Sequence, residues 1–316
     1  MNLFTPDSHG TIGNLEIIQE YLQRLNITGD FDYCLTVFAG DNGVSREGIS
    51  SYQPLSSAEI VHKHLNSHSF SRILMDRLQK TEILIDVGLF TDIECDGLLN
   101  MKVAHSTRNL NDEAAMNRCQ VEQALAVGRQ VASMLGAKGI KVFGLGEIGV
   151  GNTVSAYVLA SEILDIVPEG LVGLGSTRNN ERYARRLEIV QNTCGRIRAK
   201  GCNLIATMEE AGSSEIIAMA GAVLGAAENG LGVVLDGFVS SVAALLACRL
   251  EPRCREVLLA STLGREPGHK MILDELDLCP IFDIGINYGE GLAAGIGLFL
   301  LEMTHHFFNK EDFLGY

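Results

Sequence analysis

Two glutamates set among glycines, Glu147 in "GLGEIGVGNT" (144–153) and Glu290 in "NYGEGLAAGIG" (287–297), are the residues whose type and spacing best suit chemistry. The first stretch joins an apolar run to a segment of helical period that Asn152 or Thr153 could cap. Glycines let backbone approach an anion, and a helix N-terminus supplies N–H donors and partial positive charge, so phosphate is the natural guest. Spacing leaves a purely structural turn equally open, because no Gly-Lys-Ser/Thr follows and "GLGEIG" fits the dinucleotide pattern only as a lone match. A carboxylate beside a phosphate repels it. Glu147 therefore either addresses ribose hydroxyls or developing positive charge, or is a solvated loop acid. Glu290 opens a strongly apolar segment. A carboxylate held against apolar surface keeps its proton more tightly, which suits a general base near neutral pH; a favourable charge at the helix N-terminus is the alternative.

Other groups are weaker candidates. A second glycine turn, "GLGSTRNNERYARRLEIV", leads into a helical segment carrying Arg182, Arg185 and Arg186, with Arg182 and Arg186 on one face. Arginine matches phosphate oxygens with two hydrogen bonds, although a basic helix face is commonly just solvated. "FAGDNGVSREGISSYQP" holds Asp41-Asn42-Gly43, ordinary turn chemistry, and a further Glu-Gly pair at Glu47. In "STLGREPGH", Glu266 and His269 are candidates, the histidine more in keeping with a structural role. No HExxH or comparable spacing appears, so neither a metal nor a cofactor is expected.

Short apolar runs, "YCLTVFAG", "EILIDVG", "KVFGLG", "LVGLG", "GVVLDG" and "PIFDIG", must supply the strands behind these junctions. They alternate with segments of helical period such as "NLEIIQEYLQRL", "CQVEQALAVGRQVASML", "TVSAYVLASEIL", "SEIIAMAGAVLGAAEN" and "SSVAALLACRL". This alternation predicts an α/β fold around a largely parallel sheet, with ligands beyond the carboxyl ends of the strands. The 316 residues carry a formal charge of −14 and 47% hydrophobic residues, enough for a full core and too acidic to favour nucleic acid. The eight cysteines contain no CxxC pair, and "MNLFTPDSHG" lacks the pattern of a signal peptide, which predicts reduced thiols in a cytoplasmic enzyme. The apolar stretches are shorter than a membrane span. One main domain is expected, with a small helical part from the chain ends.

Taken in order, "GDNGVSREGIS" (family pattern roughly ADHGVxxEGVS), "STRN" at 106–109, "GEIGVGNT" (GEMGIGNT), "GSSEIIAMAGAVLGAA" with "VVLDGF", "REPGH" (AEPGH) and "INYGEG" (LRLGEG) resemble the nicotinate-nucleotide:dimethylbenzimidazole phosphoribosyltransferases of cobamide lower-ligand synthesis. The likeness spans nearly the whole chain. It implies a Rossmann-like large domain, placed at 30–285, and a small helical domain from 1–29 with 286–316, in a dimer. It also implies a reaction in which nicotinate mononucleotide gives its phosphoribosyl group to an aromatic acceptor, nicotinate leaves, and C1 of the ribose inverts from β to α. Backbone N–H groups from Gly149, Val150, Gly151, Asn152 and Thr153 would bind the 5′-phosphate, Glu147 would face the ribose, and Glu290, after Tyr288 and Gly289, would be the base. Arg186 falls where the family usually has a phosphate-binding lysine, which keeps the charge and changes the geometry.

The departures concern the acceptor and the partner. The family's LTKPPGSLGRLE is reduced to "FTPDSHGTIGNLE", a histidine is replaced by Asn42, and Tyr52 and Ile60 fall on positions that line the acceptor pocket in relatives. A less polar wall suits phenol or p-cresol, acceptors of relatives that work as heterodimers of two paralogous chains. Homodimer and heterodimer both stay open, as does a non-catalytic scaffold or regulatory subunit beside an active paralogue. A dinucleotide-binding oxidoreductase is disfavoured. It expects an acid about twenty residues on at a strand end, whereas Asp165 in "SEILDIVPEG" reads as a helix end.

Overall fold

The computed structural model describes residues 13–173 and 179–309. Among them six strands, β1 (Asp32–Gly40), β2 (Thr81–Gly88), β3 (Leu98–Asn100), β4 (Ile140–Ile148), β5 (Gly232–Leu235) and β6 (Leu258–Ala260), form one sheet in the order β3-β2-β1-β4-β5-β6. Every pairing is parallel. The direction in which strands are added reverses between β1 and β4, and such a reversal opens a crevice at the carboxyl ends. The α/β fold expected from the alternation is the one observed.

The helices in chain order are α1 (Leu15–Arg24), α2 (Ser57–Leu65), α3 (Phe70–Leu78), α4 (Arg118–Ala137), α5 (Asn152–Leu164), α6 (Asn180–Lys200), α7 (Leu204–Ala211), α8 (Ser214–Asn229), α9 (Phe238–Leu250), α10 (Pro267–Glu275) and α11 (Leu292–Asn309). Side chains from α4, α5, α8 and α9 form the core on one face of the sheet, and α1, α3 and α11 supply the other. The uninterrupted apolar run of β1 follows from this double cover, since both faces of its strand are buried from Tyr33 to Gly40. α11 accounts for "GLAAGIGLFLLEM" as a buried helix, and no described helix is long and apolar enough to cross a membrane.

Among the described residues two of the expected strands do not form. Leu171–Gly173 follow a short 3-10 turn at Pro168–Gly170, and the rest of that glycine turn, 174–178, lies outside the described residues. "PIFDIG" makes a single bridge between Phe282 and Thr262, because after Phe282 the run becomes exposed and leaves the sheet. β3 and β6, three residues each, went unread since so short a strand carries no period. Residues 4–12 of the altered N-terminal motif also lie outside the described residues.

Helices α4 and α8 meet through glycines. A Cβ on Gly128 would stand 1.9 Å from the Ala218 carbonyl oxygen, and one on Gly221 would stand 2.2 Å from that of Leu125. Contacts that short force the two helices apart and disturb the core beneath them. Gly128→Ala is accordingly expected to destabilise the protein by about 1–3 kcal/mol, read as a lower midpoint in thermal or urea unfolding. An unchanged midpoint would contradict the packing described.

Candidate active site

The segments after β1, β4, β5 and β6 close around one cavity at the carboxyl end of the sheet, completed by the loop before α11 and by Arg186 of α6. Its volume of about 280 Å³ stands at the lower end of small-molecule sites, roughly 300–1,000 Å³.

One wall is the glycine turn. β4 ends at Ile148, Gly151 sits at φ +95° as the N-cap of α5, and a Cβ on Gly149 would fall 2.1 Å from Glu215 Oε1. Glycine is thus demanded at 151 by backbone conformation and at 149 by a buried carboxylate. Neither Asn152 nor Thr153 caps the helix, as the sequence had suggested; both lie inside its first turn, and the Asn152 amide instead donates to Glu147. Two of the turn's N–H groups already have acceptors. Val150 donates to Ser57 Oγ at 3.0 Å and Asn152 to the Gly149 carbonyl at 3.2 Å. Arg186, 8% exposed, adds a cation to the same cavity. Arg185 is turned away to Glu47, whose carboxyl stays below the usual range because hydrogen bonds from Arg185 and Asn109 outweigh its burial. Arg182 shares the helix face of Arg186 but does not line the cavity.

Acidic side chains gather beside and behind the glycine turn. Burial pushes Glu147 up to about 8, against the hydrogen bond from Asn152 and with the charges of Glu215, Asp236 and Glu290 adding to the rise. Glu215, behind the turn, is pushed by burial to about 7 while the Asn42 amide, 2.7 Å away, opposes. Asp236 is pushed by burial to about 6, opposed by the backbone N–H groups of α11, with Ala293 donating at 2.7 Å and Ala294 at 3.1 Å. Glu290 stands at φ +57° between Gly289 and Gly291, both at +81°. Sequence suggested an apolar setting for it; the structure instead puts His64 Nδ1 2.9 Å from its Oε2. Tyr52, Ile60 and Tyr288 supply the less polar part of the lining, and the Tyr288 ring meets Phe70 edge-on at 5.2 Å.

This geometry has close counterparts. The phosphoribosyltransferase family profile matches residues 6–313. The chain is 30% identical to the nicotinate-nucleotide–dimethylbenzimidazole phosphoribosyltransferase of Ruminiclostridium cellulolyticum, over 97% of this chain and 88% of that protein. It is 33% identical to the one from Pseudomonas putida KT2440, over 93% and 85%. The crystal structure of CobT from Thermus thermophilus superposes with a TM-score of 0.89 at 31% identity, covering 95% of this chain and 91% of that one. The chain belongs to the nicotinate-nucleotide–dimethylbenzimidazole phosphoribosyltransferase family.

The sequence signatures of this family converge in space. Tyr52, Ile60, Glu147, Gly149, Val150, Gly151, Asn152, Thr153, Arg186, Tyr288, Gly289 and Glu290 all border the one cavity. The "DNG" of the first loop is no exposed turn. Asp41 is buried and accepts from the N–H groups of Ser57 and Phe90, each at 3.0 Å, which ties three loops together. His269 has the structural role expected, with Ser241 Oγ 3.0 Å from Nε2 and the Gly264 N–H donating to Nδ1 at 2.8 Å; burial pushes it down to about 4. Glu266 lines the cavity and accepts a hydrogen bond from the Tyr157 hydroxyl. Sequence reasoning missed Asp236 as a cavity residue, although "VVLDGF" pointed to it, and gave no signal at all for His64 or Glu82. Among the described residues no group of three or more His, Cys, Asp and Glu side chains is arranged to hold a metal. Asp165 closes α5 in a left-handed conformation instead of ending a strand.

The Glu147 shift has a stability consequence. Its folded pKa of about 8 lies above the ordinary 4.5, so its favourable contribution is complete below about pH 4.5 and is lost as pH rises through about 8. Glu147→Gln should leave thermal stability unchanged near pH 4.5 and raise it at pH 8 by about 1 kcal/mol or more, roughly 2–4 °C in Tm. An equal effect at both pH values would contradict the assigned burial.

Proposed function

We propose that the chain transfers the phosphoribosyl group of nicotinate mononucleotide to an aromatic acceptor and releases nicotinate. The observation that carries this reading is the make-up of the cavity lining. It combines the N-terminus of α5 and Arg186, suited to a 5′-phosphate, with the carboxyl groups of Glu147, Asp236 and Glu290, suited to the ribose and to the acceptor's proton. The acceptor's nitrogen or oxygen attacks C1 of the ribose, and the C1–N bond breaks with its electron pair returning to the nicotinate ring. The acceptor's proton goes to Glu290, and C1 inverts from β to α. Glu147 faces the ribose. In the phosphate subsite Gly149, Gly151 and Thr153 supply the N–H donors, since those of Val150 and Asn152 are already engaged.

The less polar lining at Tyr52 and Ile60 suits a phenolic acceptor, phenol or p-cresol, with a dimethylbenzimidazole-like azole as the alternative. Phenol, with a pKa about 10 like tyrosine, must lose its proton as attack proceeds, which raises the dependence on Glu290. The same reading assigns residues 30–285 to a large phosphoribosyl-binding domain and 1–29 with 286–316 to a small helical one, supported by the packing of α1 against α11. The place of the reaction is the synthesis of a cobamide nucleotide loop, by a homodimer or a pair of paralogues.

Nicotinate release from nicotinate mononucleotide is expected with dimethylbenzimidazole, phenol or p-cresol, by the chain alone or mixed with a paralogue. Glu290→Gln should lower kcat about 10²–10⁴-fold with little change in KM. Arg186→Ala should raise KM for nicotinate mononucleotide roughly 10–100-fold. A Glu290→Gln variant as active as the parent would sink the assignment of the base. A chain silent alone and restored on mixing, with Glu290→Gln equally restored, would make it the scaffold subunit.

A further inference from the structure

The carboxylate read above as the base is the end of a buried chain of charges. Glu290 holds a left-handed backbone that a residue with a Cβ adopts only at a cost, between two glycines with positive φ. Its Oε2 lies 2.9 Å from His64 Nδ1, and the other ring nitrogen, Nε2, lies 3.0 Å from Glu82 Oε1. His64 is 1% exposed and the Glu82 side chain 2%. Arg72 Nη1 stands 3.5 Å from Glu82 Oε2. Four elements thus contribute: α2 carries His64, β2 carries Glu82, α3 carries Arg72, and the loop before α11 carries Glu290.

Ionised carboxylates only accept hydrogen bonds. A neutral imidazole between two of them would aim a lone pair at one, so the arrangement is satisfied by the imidazolium, hydrogen-bonded through Nδ1 to Glu290 and ion-paired through Nε2 with Glu82. Burial alone would push His64 down, but its hydrogen bonds and charge interactions with Glu290 and Glu82 raise it to about 9. The other titratable groups facing this end of the chain are Tyr288, beside Glu290, and Glu147 and Asp236 across the cavity, which feel the Glu290 charge. Ile60 lies one helical turn before His64 on α2, so the residue that borders the cavity and the residue that grips Glu290 share a helix face.

We propose that His64, anchored on Glu82, is the positioning residue of this site: it grips Glu290 Oε2 through Nδ1–H, pairs its charge with the carboxylate, and leaves Oε1 to take the acceptor's proton. The inference rests on the reading of Glu290 as the base. In the step itself an Oε1–H bond forms on Glu290 and the acceptor's N–H or O–H bond breaks, leaving its electron pair on the acceptor. His64 keeps both of its protons throughout.

Two measurements on the full chain test this, the first independent of turnover. Nitrogen-15 NMR of the histidine rings should show the His64 imidazolium persisting at pH 7.5, and a neutral ring at that pH in Glu82→Gln or Glu290→Gln. A neutral His64 at pH 7.5 in the parent protein would overturn the proposal. In the nicotinate-release assay His64→Asn, which keeps a neutral N–H near the Nδ1 position, should lower kcat about tenfold or more with KM for nicotinate mononucleotide within about twofold. It should also move the acid limb of the kcat profile up by about one pH unit, with a smaller shift in the same direction for Glu82→Gln. A purely structural role would leave that limb in place, and this result overturns the proposal. Loss of activity in Glu290→Gln with His64→Asn fully active would remove His64 alone. An active Glu290→Gln would remove the base assignment, and the proposal with it.

Discussion

Four carboxylates, Glu147, Glu215, Asp236 and Glu290, converge on the carboxyl end of one parallel sheet, and the surrounding structure is arranged around holding them there. Burial and mutual repulsion push Glu147, Glu215 and Asp236 toward their protonated forms. Each is restrained by a fixed donor: the Asn152 amide for Glu147, the Asn42 amide for Glu215 and the N-terminal N–H groups of α11 for Asp236. Glu290 has His64. Fixed donors thus hold all four side chains in place before any ligand arrives.

The sheet order decides where that field can stand. Reversal between β1 and β4 separates the loops that follow them, and the opening receives the glycine turn after β4 on one side and the loop before α11 on the other. Asp41 and Ser57 then tie the turn to the segment after β1, through Ser57 N–H to Asp41 and Val150 N–H to Ser57. Glycine at 149 follows from Glu215 beneath it, and glycine at 289 and 291 from the left-handed path that aims Glu290 at the cavity. The glycine signature is therefore a record of backbone packed against carboxylates as much as of phosphate binding.

Much of this was legible in the sequence, for a physical reason. Strands buried on both faces read as unbroken apolar runs, so β1, β2, β4 and β5 stood out, and the glycine-acid junctions marked their carboxyl ends. What could not be read were features with no local period. β3 and β6 are too short to show one, and "PIFDIG" has the composition of a strand but leaves the sheet after one bridge. His64 and Glu290 are 226 residues apart in sequence and 2.9 Å apart in space, and nothing in "VHKHLN" marks that contact. The expected cap at Asn152 failed for the same reason: a nearby carboxylate, invisible in one dimension, claimed the amide.

The proposed function requires a direct displacement at C1 of the ribose, with the acceptor delivered from the Glu290 side. The most direct test is the anomeric configuration of the product, read by NMR after incubating the chain, with its paralogue if required, with nicotinate mononucleotide and an aromatic acceptor. The account predicts one α-riboside 5′-phosphate formed for each nicotinate released. A β-configured product, or ribose 5-phosphate released in place of a riboside, would contradict it.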